Sequence, residues 1–117
     1  MNTVLRGALA LTSLLALSGC GDLVTGGPLI RPGEPLGQIR VVNGTGDQLH
    51  AVLISACSAS TYGLNRLPSG MAIPSGGVYD FTVSSGCWDV AAGTFAVGDA
   101  RGRIQVNPGS TFTLRIY

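Results

Sequence analysis

The residues that could carry out catalysis in this chain are few. His50 is the single histidine, and Asp47 lies three residues before it. A histidine base needs a nucleophilic hydroxyl or thiol on one side and an orienting acid on the other. Serines occur throughout the chain, but no Gly-x-Ser-x-Gly nucleophile elbow is present. We therefore predict a structural role for His50, with a small hydrolase as a remote alternative.

Asn43, Thr45 and Asp47 have the alternating oxygen ligands of a calcium-binding loop. Such a loop also needs further acidic ligands and a late glutamate, which do not follow here. Asn43 and Gly44 tolerate positive φ, so the sequence predicts a plain turn over residues 43–47.

Three aspartates, Asp80, Asp89 and Asp99, are the remaining candidates for a pair of catalytic acids. They fall on separate predicted strands or turns, and nothing in the sequence brings two of them together. We therefore predict no catalytic residue, no metal and no cofactor, and we expect that the protein is not an enzyme.

The three cysteines, Cys20, Cys57 and Cys87, are too far apart in sequence to predict a metal site. In an oxidising compartment an even number of thiols forms disulfides, so the fate of Cys20 decides whether the other two pair. A Cys57–Cys87 disulfide would close a loop of about 30 residues and stabilise the domain by roughly 3.7 kcal/mol. The alternative is two unpaired cysteines that act as small buried apolar side chains.

The sequence Leu17-Ser18-Gly19-Cys20 resembles the lipobox of bacterial lipoproteins. Arg6 precedes it as a short cationic region, and residues 7–17 form an apolar region of about a dozen residues, as in a signal peptide. The resemblance implies that Cys20 is linked to diacylglycerol, becomes the first residue after cleavage and carries further fatty acid such as palmitate.

Two alternatives to a lipid anchor remain. An uncleaved membrane-spanning helix needs roughly 20 apolar residues, and Gly19, Gly21 and Asp22 end this apolar region too early. Ordinary secretion would leave Cys20 as a thiol. In Gram-negative lipoproteins an aspartate directly after the cysteine causes retention in the inner membrane, and the residue there is Gly21. The resemblance thus favours the periplasmic face of the outer membrane.

Charge excludes one class of partner. All seven cationic residues of the chain are arginines, and Arg6 lies in the predicted signal peptide. After cleavage the six remaining arginines balance the six acidic residues, so the side-chain net charge is zero. With no basic run, we expect no nucleic-acid partner. We expect attachment to the membrane through the lipid on Cys20, and an envelope protein as a further partner.

The sequence after the signal peptide (residues 1–19) divides into a linker and one domain. Residues 20–36 are rich in Pro and Gly and predict a flexible linker. Residues 37–117 alternate short apolar strands with turns, which is typical of an antiparallel β-sandwich of six to seven strands or of a small barrel. The predicted strands cover residues 38–42, 48–56, 78–83, 87–92, 94–97, 103–106 and 111–117.

Three details of this all-β prediction can be tested. The strand at residues 48–56 is apolar on both faces, which predicts a central position in its sheet. Residues 84–86 predict a tight hairpin, and Gly98 to Ala100 predict a break between strands. The turn Asn107-Pro108-Gly109-Ser110 precedes the last strand, and Trp88 is expected in the interior or over the disulfide.

The long segment 57–77 is expected to cross between the sheets, with a short strand or turn near residues 64–73. Tyr62, Asn65 and Arg66 make it the best candidate for a binding loop, because such side chains serve interfaces well. The alternative is a well-packed crossover loop with no binding role.

The middle of the chain is also similar to a group of small secreted or lipid-anchored bacterial domains. This similarity implies a compact β domain and no particular activity. It rests on Ile54-Ser55, the run Tyr62 to Leu67, Pro74 to Gly77, Tyr79-Asp80-Phe81 and Cys87-Trp88-Asp89-Val90.

Three functions fit the sequence. The first is a non-enzymatic, lipid-anchored envelope protein that acts through protein contacts. The second is a binding module for a small envelope ligand, a glycan or a peptide. The third is the hydrolase. A concave pocket with convergent polar groups favours the second, and a flat apolar patch favours the first.

Overall fold

The computed structural model describes residues 26–59, 61–94 and 98–117, and they form six β-strands in two three-stranded sheets. This confirms the predicted all-β fold. Among these residues, no helix is long and apolar enough to cross a membrane. The strands are β1 (Leu36–Asn43), β2 (Ala51–Ala56), β3 (Val78–Ser84), β4 (Gly86–Thr94), β5 (Gly98–Val106) and β6 (Thr111–Ile116).

The first sheet has the strand order β3-β1-β6 and the second has the order β2-β4-β5. All neighbours are antiparallel except β1 and β6, which run parallel with Gln38 opposite Thr111. The turn before β6 explains this direction. Gly109 donates its N–H to the carbonyl of Leu36, and Gln38 donates to the carbonyl of Ser110. Because β6 therefore starts beside the start of β1, it runs the same way.

Apolar and polar side chains alternate along the strands, and the apolar faces of both sheets contribute to one shared core. Trp88 is completely buried, and its indole N–H donates to the carbonyl of Ser84 at 2.8 Å. A buried aromatic ring of this size contributes several kcal/mol, so it anchors the interface between the sheets. The core includes Ile39, Val41, Val52, Ile54, Phe81, Val83, Trp88, Val90, Ile104, Val106 and Ile116.

The predicted hairpin at residues 84–86 is wrong, because β3 and β4 belong to different sheets. Here the chain leaves the first sheet and enters the second, and Gly86 has a φ of 133° at the crossing. The alternation of apolar and polar residues along a strand assigns each residue to one face of the sheet. It carries no information about which other strand is the hydrogen-bonded neighbour.

The predicted central position of β2 is also wrong, since β2 lies at the edge of the second sheet. Residues 57–77, which we call the crossing segment, cover this edge. Leu49 forms an isolated bridge with Ile73, Leu53 forms one with Asn65, and the N–H of Arg66 donates to a carbonyl of β2. The cover explains why β2 has apolar residues on both faces although it is an edge strand.

The other strand boundaries differ less from the prediction. Residues 98–100, expected as a break, form the start of β5, which pairs with β4 as one long antiparallel ladder. The predicted strand at residues 94–97 falls outside the described residues except for Thr94, the last residue of β4. The turn at residues 107–110 is confirmed, with the N–H of Ser110 donating to the carbonyl of Asn107.

Residues 26–35, which we call the N-terminal strap, pack against the domain although they were predicted as linker. The carbonyls of Gly26, Leu29 and Pro35 accept hydrogen bonds from the N–H groups of Ala56, Ser84 and Ser85. The Arg31 guanidinium lies over the Trp88 ring at 4.8 Å. Gly26 is required at its place, because its φ is 81° and a Cβ there would lie 2.5 Å from that of Ser55. Proline and glycine prevent regular structure here but allow a docked, irregular path.

The turn after β1 is organised by a buried asparagine. Asn43 Oδ1 accepts from the N–H and hydroxyl of Thr45, and its Nδ2 donates to the carbonyls of Asp47 and Ile73. No residue of this turn has positive φ, contrary to expectation. The side chain, rather than a left-handed backbone, forms the turn.

Candidate functional site

The Cys57–Cys87 disulfide is present, with the two Cα atoms 5.5 Å apart. Cys57 directly follows β2 and Cys87 is the second residue of β4, and the N–H of Cys57 also donates to the carbonyl of Cys87 at 3.3 Å. The disulfide therefore attaches the start of the crossing segment to the second sheet. This confirms the predicted pairing.

Asn65, a candidate for ligand binding, instead bonds to the backbone of the domain. Its Oδ1 accepts from the N–H groups of Val52 at 2.9 Å and Leu67 at 3.1 Å, and its Nδ2 donates to the carbonyl of His50 at 3.1 Å. The side-chain amide thus takes the place of a neighbouring strand at the edge of β2.

Arg66, the second candidate, has the same kind of role. Its guanidinium donates to the carbonyl of Ile54 at 2.9 Å and to the carbonyl of Gly27 at 2.6 Å. Burial lowers the pKa of the Arg66 guanidinium, which nevertheless stays charged at neutral pH. Arg66 therefore joins the N-terminal strap to β2.

Tyr62, the third candidate, lines an open cleft of about 490 Å³ on the outer face of the second sheet. One wall comes from the crossing segment and the other from β5, with a residue of β4 between them. The lining residues are Ala59, Thr61, Tyr62, Asp89, Arg101, Gly102 and Arg103. The described part of the lining therefore contains two cations, one carboxylate and one aromatic ring.

Arg103 and Asp89 form a two-pronged ion pair across neighbouring strands. Arg103 Nε donates to Asp89 Oδ1 at 2.8 Å, and its Nη2 donates to Oδ2 at 3.1 Å. The hydrogen bond from Arg103 lowers the pKa of the Asp89 carboxyl, and the same bond raises the pKa of Arg103. Both groups are therefore charged at neutral pH.

Arg101 lies over the Tyr62 ring, with its guanidinium carbon 4.9 Å from the ring centroid. This cation–π contact joins β5 to the crossing segment. The disulfide lies beside the same cleft, since Cys57 Sγ is 4.0 Å from Asp89 Oδ1. Both walls are thus held by contacts that do not depend on a ligand.

Sequence reasoning missed the arginines of this cleft because it began the strand at Arg103. With residues 98–100 inside β5, Arg101 and Arg103 share the exposed face and Ile104 and Val106 are buried. The available signal was the spacing Arg101-x-Arg103, which continues the alternation of β5 towards its start.

Two other sequence candidates, His50 and Asp80, do not line the cleft. His50 is half-buried just before β2, and its backbone N–H donates to the carbonyl of Gly93. Asp80 pairs with Arg40 on the first sheet, and the side chain of Asp99 is outside the described structure. Within the described ranges, no cluster of three or more His, Cys, Asp or Glu could hold a metal ion.

No protein-family model and no curated protein matches the chain.

Proposed function

We propose that this chain is a lipid-anchored protein of the bacterial cell envelope whose domain binds a ligand and does not catalyse a reaction. Cys20 carries the lipid, and the cleft beside Tyr62 holds the ligand. In a Gram-negative cell the domain faces the periplasm from the outer membrane.

The observation that carries this proposal is the Cys57–Cys87 disulfide. It uses both cysteines of the domain, so the remaining thiol is Cys20, which ends the lipobox-like sequence. Disulfides persist in the periplasm and outside the cell and are rare in the cytosol. The thiol count and the signal peptide therefore support the same compartment.

The shape of the cleft supports a small ligand over a flat protein interface. Its polar and aromatic side chains converge from three elements, the crossing segment, β4 and β5, as in ligand sites. Exposed apolar residues of the first sheet do not form one patch. Leu36 and Val78 are 43% and 53% exposed, but they lie at opposite ends of the β1–β3 ladder. Six residue steps of about 3.3 Å separate these ends.

The anchor is tested by expressing the full chain in a bacterium with labelled palmitate. We expect label on the wild-type protein, which should stay with the membranes after a carbonate wash. Cys20→Ala removes the acceptor sulfur, so this variant should carry no label and leave the membrane fraction.

Ser18→Ala is the matched control, because it keeps a small residue inside the lipobox-like sequence. We expect normal labelling and normal membrane attachment of this variant. Membrane retention of Cys20→Ala after the wash would contradict the proposal, as would an unlabelled wild-type chain that still carries its signal peptide.

A further inference from the structure

We infer that the cleft binds a saccharide that carries a carboxylate group, with Arg101 and Arg103 as the residues that hold the carboxylate and a neighbouring hydroxyl. This inference rests on the proposed binding function and names the class of ligand.

The described lining of the cleft favours an anion of low charge. It contains the cations Arg101 and Arg103 and the carboxylate of Asp89. A carboxylate adds one negative charge beside Asp89, whereas a doubly charged phosphate adds two and is repelled more strongly. Arginine also matches the planar carboxylate with two parallel hydrogen bonds.

The cleft already shows that a carboxylate fits Arg103. Asp89 occupies Nε and Nη2, and Nη1 makes no hydrogen bond with any described residue. The Arg103 side chain is 64% exposed, whereas that of Asp89 is 15% exposed. Asp89 therefore orients the guanidinium from the sheet side, and the outer edge of the guanidinium can donate hydrogen bonds to a ligand.

Arg101 is oriented by a different contact. It lies over the Tyr62 ring and stands two residues from Arg103 on the same face of β5. Residues i and i+2 of a strand are about 7 Å apart, which lets one arginine hold the carboxylate while the other meets a neighbouring hydroxyl. Because both cations are positioned before binding, little side-chain entropy is lost when the ligand enters.

The rest of the lining fits a sugar better than a peptide. Thr61 and Tyr62 supply hydroxyl groups, and among the described lining residues Ala59 is the only one with a purely aliphatic side chain. A peptide would need pockets for its side chains, or a strand edge for its backbone. The cleft instead lies over the outer face of the sheet, where a polar ring can meet hydroxyl and guanidinium groups.

The test measures binding of defined probes to the full-length chain in detergent by calorimetry. We expect glucuronate to bind and glucose, which lacks the carboxylate, to bind at least about tenfold more weakly. Glucose 6-phosphate and an acetylated, amidated Gly-Glu-Gly peptide should both bind more weakly than glucuronate. Tighter binding of either probe would overturn the assignment to an acidic sugar.

Variants test the named residues. Arg103→Gln and Arg101→Gln should each weaken glucuronate binding about tenfold or more, and Arg103→Lys should also weaken it because lysine lacks the planar fork. Arg40→Gln is the matched control, since Arg40 forms the same kind of pair with Asp80 on the other sheet. It should leave glucuronate binding unchanged.

Two results would refute the inference. One is an equal loss of binding in Arg40→Gln and Arg103→Gln, and the other is no glucuronate binding by a folded wild-type chain. Folding is checked through the fluorescence of the buried Trp88. Since binding is measured on isolated protein, this result is independent of the palmitate experiment on Cys20.

Discussion

Among the described residues, each sheet has an arginine–aspartate pair across neighbouring strands of its outer face, and the geometry of the two pairs is almost the same. Arg40 binds Asp80 with distances of 2.8 and 3.0 Å, and Arg103 binds Asp89 with distances of 2.8 and 3.1 Å. In both pairs the two residues are direct partners in an antiparallel ladder.

The surroundings of the two pairs differ. The Asp80 side chain is 37% exposed, and that of Asp89 is 15% exposed. The difference comes from the crossing segment, whose Tyr62 and disulfide stand beside Asp89. The same ion pair is a surface feature on one sheet and part of a cleft on the other. An Arg–Asp pair alone therefore does not define a site. The crossing segment beside the pair is what makes a cleft.

The largest expected effect on stability comes from removing the disulfide that holds the crossing segment. Replacing Cys57 and Cys87 together by alanine frees a loop of about 30 residues in the unfolded chain, so the free energy of unfolding should fall by roughly 3.7 kcal/mol. Guanidinium unfolding of the oxidised protein and the double variant measures this. Ser58→Ala, at an exposed neighbouring position, should change it by less than about 0.5 kcal/mol. Equal unfolding midpoints of the double variant and the wild type would show that the disulfide does not stabilise the fold.

A smaller effect is expected at the edge of β2, where Asn65 holds the crossing segment. Asn65→Ala leaves the N–H groups of Val52 and Leu67 without their acceptor, so the free energy of unfolding should fall by about 1–3 kcal/mol. Asn107→Ala is the control, because the exposed Asn107 side chain makes no hydrogen bond to the described part of the chain. Urea unfolding of both variants checks the prediction, and similar losses in the two would argue against this role for Asn65.

The smallest expected effect is on the pH dependence of stability, which allows the two ion pairs to be compared directly. Hydrogen bonds from arginine lower the pKa of both Asp80 and Asp89 in the folded protein. Each pair thus stabilises the fold above the unfolded-state pKa of about 4, and this contribution is lost as the pH falls through the lowered pKa. Asp80→Asn and Asp89→Asn should both flatten the acid limb of a stability–pH curve.

The less exposed Asp89 should account for the larger share of this dependence, because water screens its ion pair less. Unfolding midpoints at pH 7 and pH 3 for the two variants give the comparison. A larger loss of pH dependence in Asp80→Asn than in Asp89→Asn would show that the crossing segment does not strengthen the Asp89 ion pair.

Features that depend on local pattern could be predicted from the sequence. Alternation in residues 78–83 and 111–117 located β3 and β6, and the parity of the cysteines indicated the Cys57–Cys87 pairing. Asparagine, proline and glycine located the turn at residues 107–110. Each of these signals comes from neighbouring residues or from a simple count.

Features that depend on pairing between distant segments could not be predicted. Nothing near Ser85 shows that the chain changes sheets there, since both flanking strands alternate normally. Asn65 and Arg66 have the composition of a binding loop, and only the position of the β2 edge shows that they serve its backbone. The cleft itself requires Tyr62 and Arg101, 39 positions apart, to meet.

The N-terminal strap has a consequence for the working range of the protein. It is docked from Gly26 onward, so six residue steps separate the proposed lipid on Cys20 from the folded domain. Even fully extended, six such steps span no more than about 22 Å. The proposed lipid would therefore confine the domain to a shallow layer next to the bilayer, and a ligand would have to reach that layer to bind.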